Sequence, residues 1–457
     1  MIYSSPEFVV AFAVFTLAYW RIGRATARLV VLFVASLLFY AYGEPRGLPL
    51  ILGVIAFTYA AGRATEAWPT RTRAIVAVSV AVLLANLAFF KDWGFLGGVV
   101  RLLPDVIPPV LLPLGISFFT FEAIAYLVDL RRGVTTVERS PLRLGLFIAV
   151  FPHLISGPIM RPNGFLPQLR VPVGWDTARF ASGLLLFVEG LVKKLFLADL
   201  AGGIADRVFT AAGDVGTLVG WTGALAYTVQ IYGDFAGYTD MGRGAARMLG
   251  LELPLNFRSP YVASSPADFW RRWHISLSSW LRDYLYIALG GNRGGSARTY
   301  ANLMITMLLG GLWHGAGWTF VLWGGYHGAL LVMQRALGGR VRVPVALATA
   351  GTFFLVVNGW VLFRARDLEV CAAMLRAMYF PRTDAVHTIG AGSMLFVAAA
   401  LVATIALMAL AERRADLIER VRGSGALAGA GYGLAAGAAL VFMLLRGAPT
   451  PFIYFRF

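Results

Sequence analysis

Charge is scarce in this sequence. Of its 457 residues only 14% are Asp, Glu, Lys or Arg, where an ordinary soluble domain carries about 25%. A water-soluble fold of this length cannot cover its surface with so few charged groups. A bilayer removes that demand, because positions facing lipid are apolar. Hydrophobic residues make up 58%, so the chain reads as a polytopic membrane protein. Cysteine is nearly absent. Cys371 stands alone, which excludes an intrachain disulfide and a cysteine metal cluster and leaves it as a small apolar residue on a helix. There is no Walker phosphate loop, no H-E-x-x-H and no GxSxG elbow. No tight His/Asp/Glu cluster has metal-ligand spacing, so no metal is expected. The start lacks a basic region and a small-residue cleavage site. Glu7 precedes the apolar stretch Phe8–Trp20, and Arg21, Arg24 and Arg28 follow it, so this stretch is expected to remain as a first membrane helix.

The charge that is present is mostly arginine, with a net balance of +16. It falls in short groups between apolar runs rather than in a tail or long stripe. That pattern suits loops facing an anionic leaflet. With no recognition motif beside it, nucleic acid is not an expected partner, whereas membrane lipids are. A spanning helix needs roughly 20 mostly apolar residues. Windows of that kind lie near 5–21, 29–44, 47–62, 74–91, 106–128, 142–158, 181–198, 217–233, 301–313 with 316–333, 343–363, 391–411 and 425–445. They give about eleven crossings in one membrane domain over 1–457. Arginines follow the first, third and fifth windows (Arg21, Arg24, Arg28; Arg63, Arg71, Arg73; Arg131, Arg132, Arg139, Arg143), precede the 343–363 window (Arg335, Arg340, Arg342) and precede the last window (Arg413, Arg414, Arg420, Arg422). The positive-inside rule then puts these loops in the cytoplasm, the N-terminus outside and the tail Thr450–Phe457 on the far side.

The middle of the chain breaks the pattern. Between Asp234 and Asn302 hydropathy falls while aromatic and basic residues crowd together. Within Asp268–Gly291 (DFWRRWHISLSSWLRDYLYIALGG), Phe269, Trp273, Leu277 and Trp280 recur at three- or four-residue spacing, which predicts an amphipathic helix. Such a segment cannot span lipid. It lies in the interface or enters the protein as a re-entrant helix lining a cavity.

Five histidines are the candidates for acid–base chemistry: His153, His274, His314, His327 and His387. An ionisable group at membrane depth is costly and is a functional candidate by default. His314 sits in MLLGGLWHGAGWTFVLWGGYHG (Met307–Gly328), ringed by Gly310, Gly311, Gly315 and Gly317. Glycines allow close approach of a backbone or ligand, and burial favours the neutral imidazole that a general base requires. A histidine hydrogen-bonded across a helix interface fits the same pattern. His274 reads as an interfacial histidine among Arg271, Arg272 and Trp273, or as a second site group. His327 shares a helix or cavity with His314, or bonds a neighbouring helix. His153 stands near a break marked by Pro158 and Pro162, and His387 lies in a loop. In Ile231–Gly250 (IYGDFAGYTDMGRGAARMLG), Asp234 and Tyr238 are four apart, which lets one helical face present both to a cavity. A helix end with Asp240 and Arg243 paired is the plainer reading.

Three segments, WRRWHISLSSWLRDYLYIALGGNRGG, DFAGYTDMGRGAARMLGLELPLNFRSPY and GGLWHGAGWTFVLWGGYHG, together resemble the membrane-bound O-acyltransferase family. They look most like its bacterial alginate O-acetylase branch. LPLGISFFTFEAIAYLVDL (Leu112–Leu130), FPHLISGPIMRP (Phe151–Pro162) and the C-terminal FIYFRF add to the likeness, which is strongest over 112–328. The resemblance implies an all-α bundle of about eleven membrane helices plus re-entrant or interfacial helices around a central tunnel. It implies His314 as the catalytic histidine and His274 as the second characteristic polar position. Asp234, Tyr238, Trp313, His327 and Arg271 are then candidates for substrate contact. It also implies acetyl-CoA as acyl donor with no bound cofactor, an extracytoplasmic acetyltransferase partner, a polysaccharide acceptor, and the bacterial cytoplasmic (inner) membrane. Two other functions remain open on sequence: D-alanyl transfer to teichoic acid from a carrier protein, and a lipid-linked sugar transporter or flippase. The latter predicts inverted repeats, and none is evident.

Overall fold

The computed structural model describes residues 3–91, 112–155, 157–338, 343–381, 388–413, 425–446 and 450–453. The first part of the 106–128 window, His387, the arginines at 340, 342, 414, 420 and 422, and the tail beyond Ile453 lie outside them. Among the described residues the chain is helical and contains no extended β-strand, as an all-α polytopic protein must be where lipid leaves no partner for open backbone groups.

The helices follow the apolar runs: α1 Pro6–Arg21, α2 Ala25–Gly43, α3 Leu48–Ala67, α4 Thr72–Lys91, α5 Ile116–Arg132, α6 Pro141–Ala149, α7 Thr177–Val192, α8 Asp199–Thr210, α9 Thr217–Met248, α10 Pro266–Arg272, α11 Ile275–Trp280, α12 Gly295–His314, α13 Trp318–Leu337, α14 Val345–Arg364, α15 Leu368–Tyr379, α16 Ala391–Arg413 and α17 Gly425–Arg446. Six of these, α2, α3, α4, α14, α16 and α17, are long and apolar enough to cross a membrane. The other windows also hold helices, but shorter or more polar ones. Within the 142–158 window the helix stops after nine residues, and a separate turn of helix follows at Phe151–Leu154. The faces divide as a bilayer requires. On α16, Val397, Ala400, Thr404 and Met408 are buried while Leu395, Val402 and Leu407 are exposed.

The described chain forms two compact units. The first comprises Met1–Gly190, Tyr238–Pro254 and Met443–Arg456. Its core is aromatic. Phe8, Phe12 and Tyr19 are buried along one face of α1, and the Phe8 and Phe12 rings stack on Phe187 at 6.2 and 6.4 Å. Gly115 starts α5 with φ 75°, and a side chain there would meet the carbonyl oxygen of Leu154 at 2.6 Å, so glycine answers both demands. His153 lies in this unit. Its Nδ1 is 3.2 Å from the Glu122 carboxylate, both side chains being buried.

The second unit comprises Leu191–Gly237 and Leu255–Phe442. Its backbone hallmark is the α12–α13 hairpin, joined by Gly315, Ala316 and Gly317. A side chain at Gly311 would collide with the carbonyl oxygen of Phe320, and one at Gly324 with that of Met307. The two helices therefore touch backbone to backbone, which only glycine permits.

The region read as one amphipathic helix over 268–291 departs from that reading. α10 ends at Arg272, α11 begins at Ile275, and a π-helical turn follows at Leu281–Tyr286. His274, at the break, has φ 43° and ψ 55°, a left-handed conformation that non-glycine residues rarely adopt. Phe269, Trp273, Leu277 and Trp280 are all buried nonetheless. The spacing recorded burial correctly and continuity wrongly.

Candidate active site

The second unit gathers three of the five histidines into one aromatic cluster. His314 is the last residue of α12. Its ring lies edge-on to Trp313 at 4.9 Å, Trp323 at 5.0 Å and Phe363 at 5.0 Å. Trp313 also lies 6.0 Å from His274, and Trp323 lies 5.0 Å from His327. Imidazoles and indoles thus alternate: His274, Trp313, His314, Trp323, His327. Phe235 closes one end against His274 at 4.6 Å and Trp270 the other against His327 at 5.2 Å. His314 is 4% exposed, His274 0% and His327 1%.

Burial makes their hydrogen bonding decisive. Neither ring nitrogen of His274, nor Nε2 of His327, has a hydrogen-bond partner among the described residues. His327 Nε2 instead faces the backbone of α14, where a side chain at Gly359 would lie 2.8 Å from it. A buried polar group without a partner costs roughly 1–3 kcal/mol. Such groups gathered in one cluster are candidates for a catalytic role.

Backbone geometry explains how His274 is held. The non-helical segment after Pro254 runs beside the break. The amide of Ile275 donates to the carbonyl of Asn256 at 2.9 Å, and that of Arg258 donates to the carbonyl of Arg272 at 2.9 Å. The Asn256 side-chain oxygen accepts from both the amide and the hydroxyl of Ser276, at 3.1 and 2.7 Å.

A second polar group lies beside Phe235 in sequence. The Lys194 ammonium sits 2.9 Å from Asp199 and 2.7 Å from Asp234, with all three side chains buried. Lys194 belongs to a π-helical turn, Lys193–Ala198. Gly233 of α9 permits close approach, since a side chain there would lie 3.1 Å from the carbonyl oxygen of Lys193. Asp234 therefore enters a buried ion cluster.

The remaining candidates separate. Tyr238 belongs to the first unit, where its ring packs at 4.5 Å on Tyr3 and 4.6 Å on Phe452. The Asp240–Arg243 pair forms there at 3.4 Å. Arg271 is 73% exposed at its side chain and 3.9 Å from Asp268. Its neighbour Arg272 is the enclosed one, held at 3.0 Å by both Asp268 and Glu412. Among the described residues no three His, Cys, Asp or Glu side chains are grouped to hold a metal ion. Sequence reasoning passed over Lys194 and Asn256. Two consecutive lysines inside the apolar run LLLFVEGLVKKLFLADL are the available signal for the first. Asn256 carries no signal of its own.

The cluster lies within the span that comparison matches. Residues 138–364 match the model of the membrane-bound O-acyltransferase family. A probable alginate O-acetylase of Pseudomonas aeruginosa is 43% identical over 391 residues, 83% of this chain and 75% of that protein. A peptidoglycan O-acetyltransferase of Helicobacter pylori is 36% identical over 423 residues, 83% of this chain and 80% of that protein. A teichoic acid D-alanyltransferase of Bacillus subtilis is 29% identical over 233 residues, 48% of this chain and 58% of that protein. An apolar helical chain matched in this way, with its buried histidines inside the matched span, is a multi-pass membrane acyltransferase and belongs to the membrane-bound O-acyltransferase family.

Proposed function

We propose that this protein takes an acetyl group from cytoplasmic acetyl-CoA and delivers it across the bacterial inner membrane for O-acetylation of a polysaccharide, with an extracytoplasmic acetyltransferase completing the transfer. The observation that carries this reading is the shared Trp313 contact. It brings His314, the group expected to act as base, and His274 into one buried aromatic cluster. The names of the relatives support acetate as the group and a polysaccharide as the destination.

In the proposed reaction a hydroxyl oxygen of the acceptor attacks the thioester carbonyl while neutral His314 takes its proton. A new C–O bond forms and the carbonyl oxygen becomes an oxyanion. Collapse of that intermediate breaks the C–S bond, and the coenzyme A thiolate takes the proton back from the imidazolium. His274 donates to the oxyanion. A donor placed where charge develops is worth on the order of 3–4 kcal/mol in barrier. No acyl-enzyme is needed for the balance.

D-alanyl transfer is the competing enzymatic reading. The relative of that kind matches about half of this chain, whereas the acetylating relatives match 83%. Membership in an acyltransferase family leaves the flippase reading without support. Donor choice tests the proposal. Membranes containing the protein are supplied in parallel with labelled acetyl-CoA and with a D-alanyl-charged carrier protein. The proposal expects label in the polymer from acetyl-CoA alone. Label from the carrier alone overturns it.

A further inference from the structure

We infer that Asn256 is a positioning residue for His274, and that its side chain sets the left-handed bend from which the imidazole enters the cluster. The inference rests on the reading of His274 as a group that contacts the reacting acyl thioester.

The argument begins with the bend. His274 adopts φ 43° and ψ 55°, and backbone in that region is strained for any residue with a side chain. Such a conformation persists only where its surroundings over-determine it. Two of the backbone bonds that do so come from one short segment. The carbonyl of Arg272 accepts from the amide of Arg258, and the amide of Ile275 donates to the carbonyl of Asn256. These two ties bracket His274. They fix the direction in which the chain enters and leaves the bend, yet neither reaches past Ile275.

The Asn256 side chain supplies the third tie. A backbone amide can only donate, so the atom facing the Ser276 amide at 3.1 Å is the side-chain oxygen, and the Ser276 hydroxyl reaches the same oxygen at 2.7 Å. Ser276 is thereby held at the first turn of α11, while the carbonyl of His274 accepts from the amide of Ser278 at 2.9 Å. The start of α11 and the end of the bend are locked together. Asn256 itself is fully buried, so the lock is not exchanged for water.

Packing then sets the ring. With the backbone fixed, the imidazole lies 4.6 Å from Phe235 and 6.0 Å from Trp313, and neither ring nitrogen has a hydrogen-bond partner among the described residues. No polar contact from the side chain of His274 to the described protein orients it. Its orientation depends on backbone and packing alone. Loss of the Asn256 side chain therefore leaves the imidazole present but misdirected, a fault that reaches the transition state more than donor binding.

The test uses the full chain in membranes of a host whose own copy is deleted, so that natural partners and acceptor polymer are present. Initial rates of labelled acetate transfer from acetyl-CoA are measured per amount of inserted protein for wild type, Asn256→Ala, Ser276→Ala, His274→Ala, the Asn256→Ala/His274→Ala double variant, and His314→Ala. The expected result is a fall in kcat of at least tenfold for Asn256→Ala, with KM for acetyl-CoA within twofold. Ser276→Ala, which keeps the amide bond to Asn256, should lose less than threefold. In the His274→Ala background, removal of Asn256 should cost no further activity. An unchanged rate for Asn256→Ala overturns the inference, as do multiplicative losses in the double variant. If Asn256→Ala fails to insert, a rate for Ser276→Ala that falls in wild type but not in the His274→Ala background supports the inference, and equal falls in both overturn it. Full activity of His314→Ala would defeat the underlying reaction instead, whatever the Asn256 variants do.

Discussion

At the scale of single residues, the structure separates groups that burial makes costly from those it leaves cheap. Lys194 between Asp199 and Asp234 is of the first kind. Removing one member of a buried charged cluster costs about 3–5 kcal/mol, because the charges left behind have lost both water and counter-ion. Lys194→Met should therefore lower thermal stability in detergent by that order, and Lys194→Arg by less. A melting curve for Lys194→Met that overlays wild type would contradict the assignment. Glu138 supplies a pH-dependent case outside the spanning helices. Burial pushes its carboxyl up, but hydrogen bonds from Arg143, the Ser140 amide and Arg170 outweigh burial and hold it below the ordinary range. A lowered carboxyl stabilises the fold at pH above its unfolded value of about 4.3, and that contribution is lost as acid titrates through the lower native value. Glu138→Gln should thus melt earlier than wild type at neutral pH, with the gap closing below the ordinary carboxylate range. A gap that widens in acid would show the reasoning to be wrong. Residues of this kind were unevenly legible in the sequence. His314 stood out because glycines and apolar runs surround it. Lys194 did not, since a lysine in an apolar run reads equally as a side chain snorkelling to the headgroups. Asn256 was invisible, because its contacts are made at a backbone bend 18 residues away in sequence that no spacing rule registers.

At the scale of elements, the α12–α13 hairpin is the piece most tightly specified by sequence. Glycines at 311 and 324 let each helix rest on carbonyl oxygens of the other. A methyl group at position 324 has nowhere to go, since the obstacle is backbone rather than a flexible side-chain end. Gly324→Ala should destabilise by about 1–3 kcal/mol through overpacking, and it should lower acetyl transfer because His314 terminates the displaced helix. Gly351, with open space around it, serves as control: Gly351→Ala should leave both quantities near wild type. Equal effects of the two substitutions would contradict the packing account. Helix windows were readable from apolar run length because the bilayer sets that length physically. The broken segment at 268–291 was not. Aromatic side chains at three- and four-residue spacing bury one face whether or not the backbone between them is continuous, and a left-handed residue leaves no mark on composition. In the same way a continuous α9 of 32 residues appears in sequence as an apolar run that ends near 233, since its later polar groups are mostly buried inside protein rather than exposed.

At the scale of the whole molecule, arginine distribution carries a claim about orientation. The loop at Arg24 should face the cytoplasm and the loop at Glu44–Gly47 the opposite side. Cys371 is the single cysteine and is buried, so a Cys371→Ser background permits a clean test. A cysteine at position 44 should react with a membrane-impermeant maleimide in intact spheroplasts, and one at position 24 only after lysis. The reverse pattern would invert the topology and place the proposed donor, acetyl-CoA, on the wrong side.

The central claim is that the imidazole of His314 takes the acceptor's proton. The most direct measurement compares His314→Ala and His314→Gln with wild type in membranes fed labelled acetyl-CoA. Inserted protein is quantified, and acetate is recovered from the polymer. The account predicts that both variants insert as wild type does and transfer acetate at least about a hundredfold more slowly, the scale of a lost general base. Transfer by either variant at the wild-type rate would contradict it.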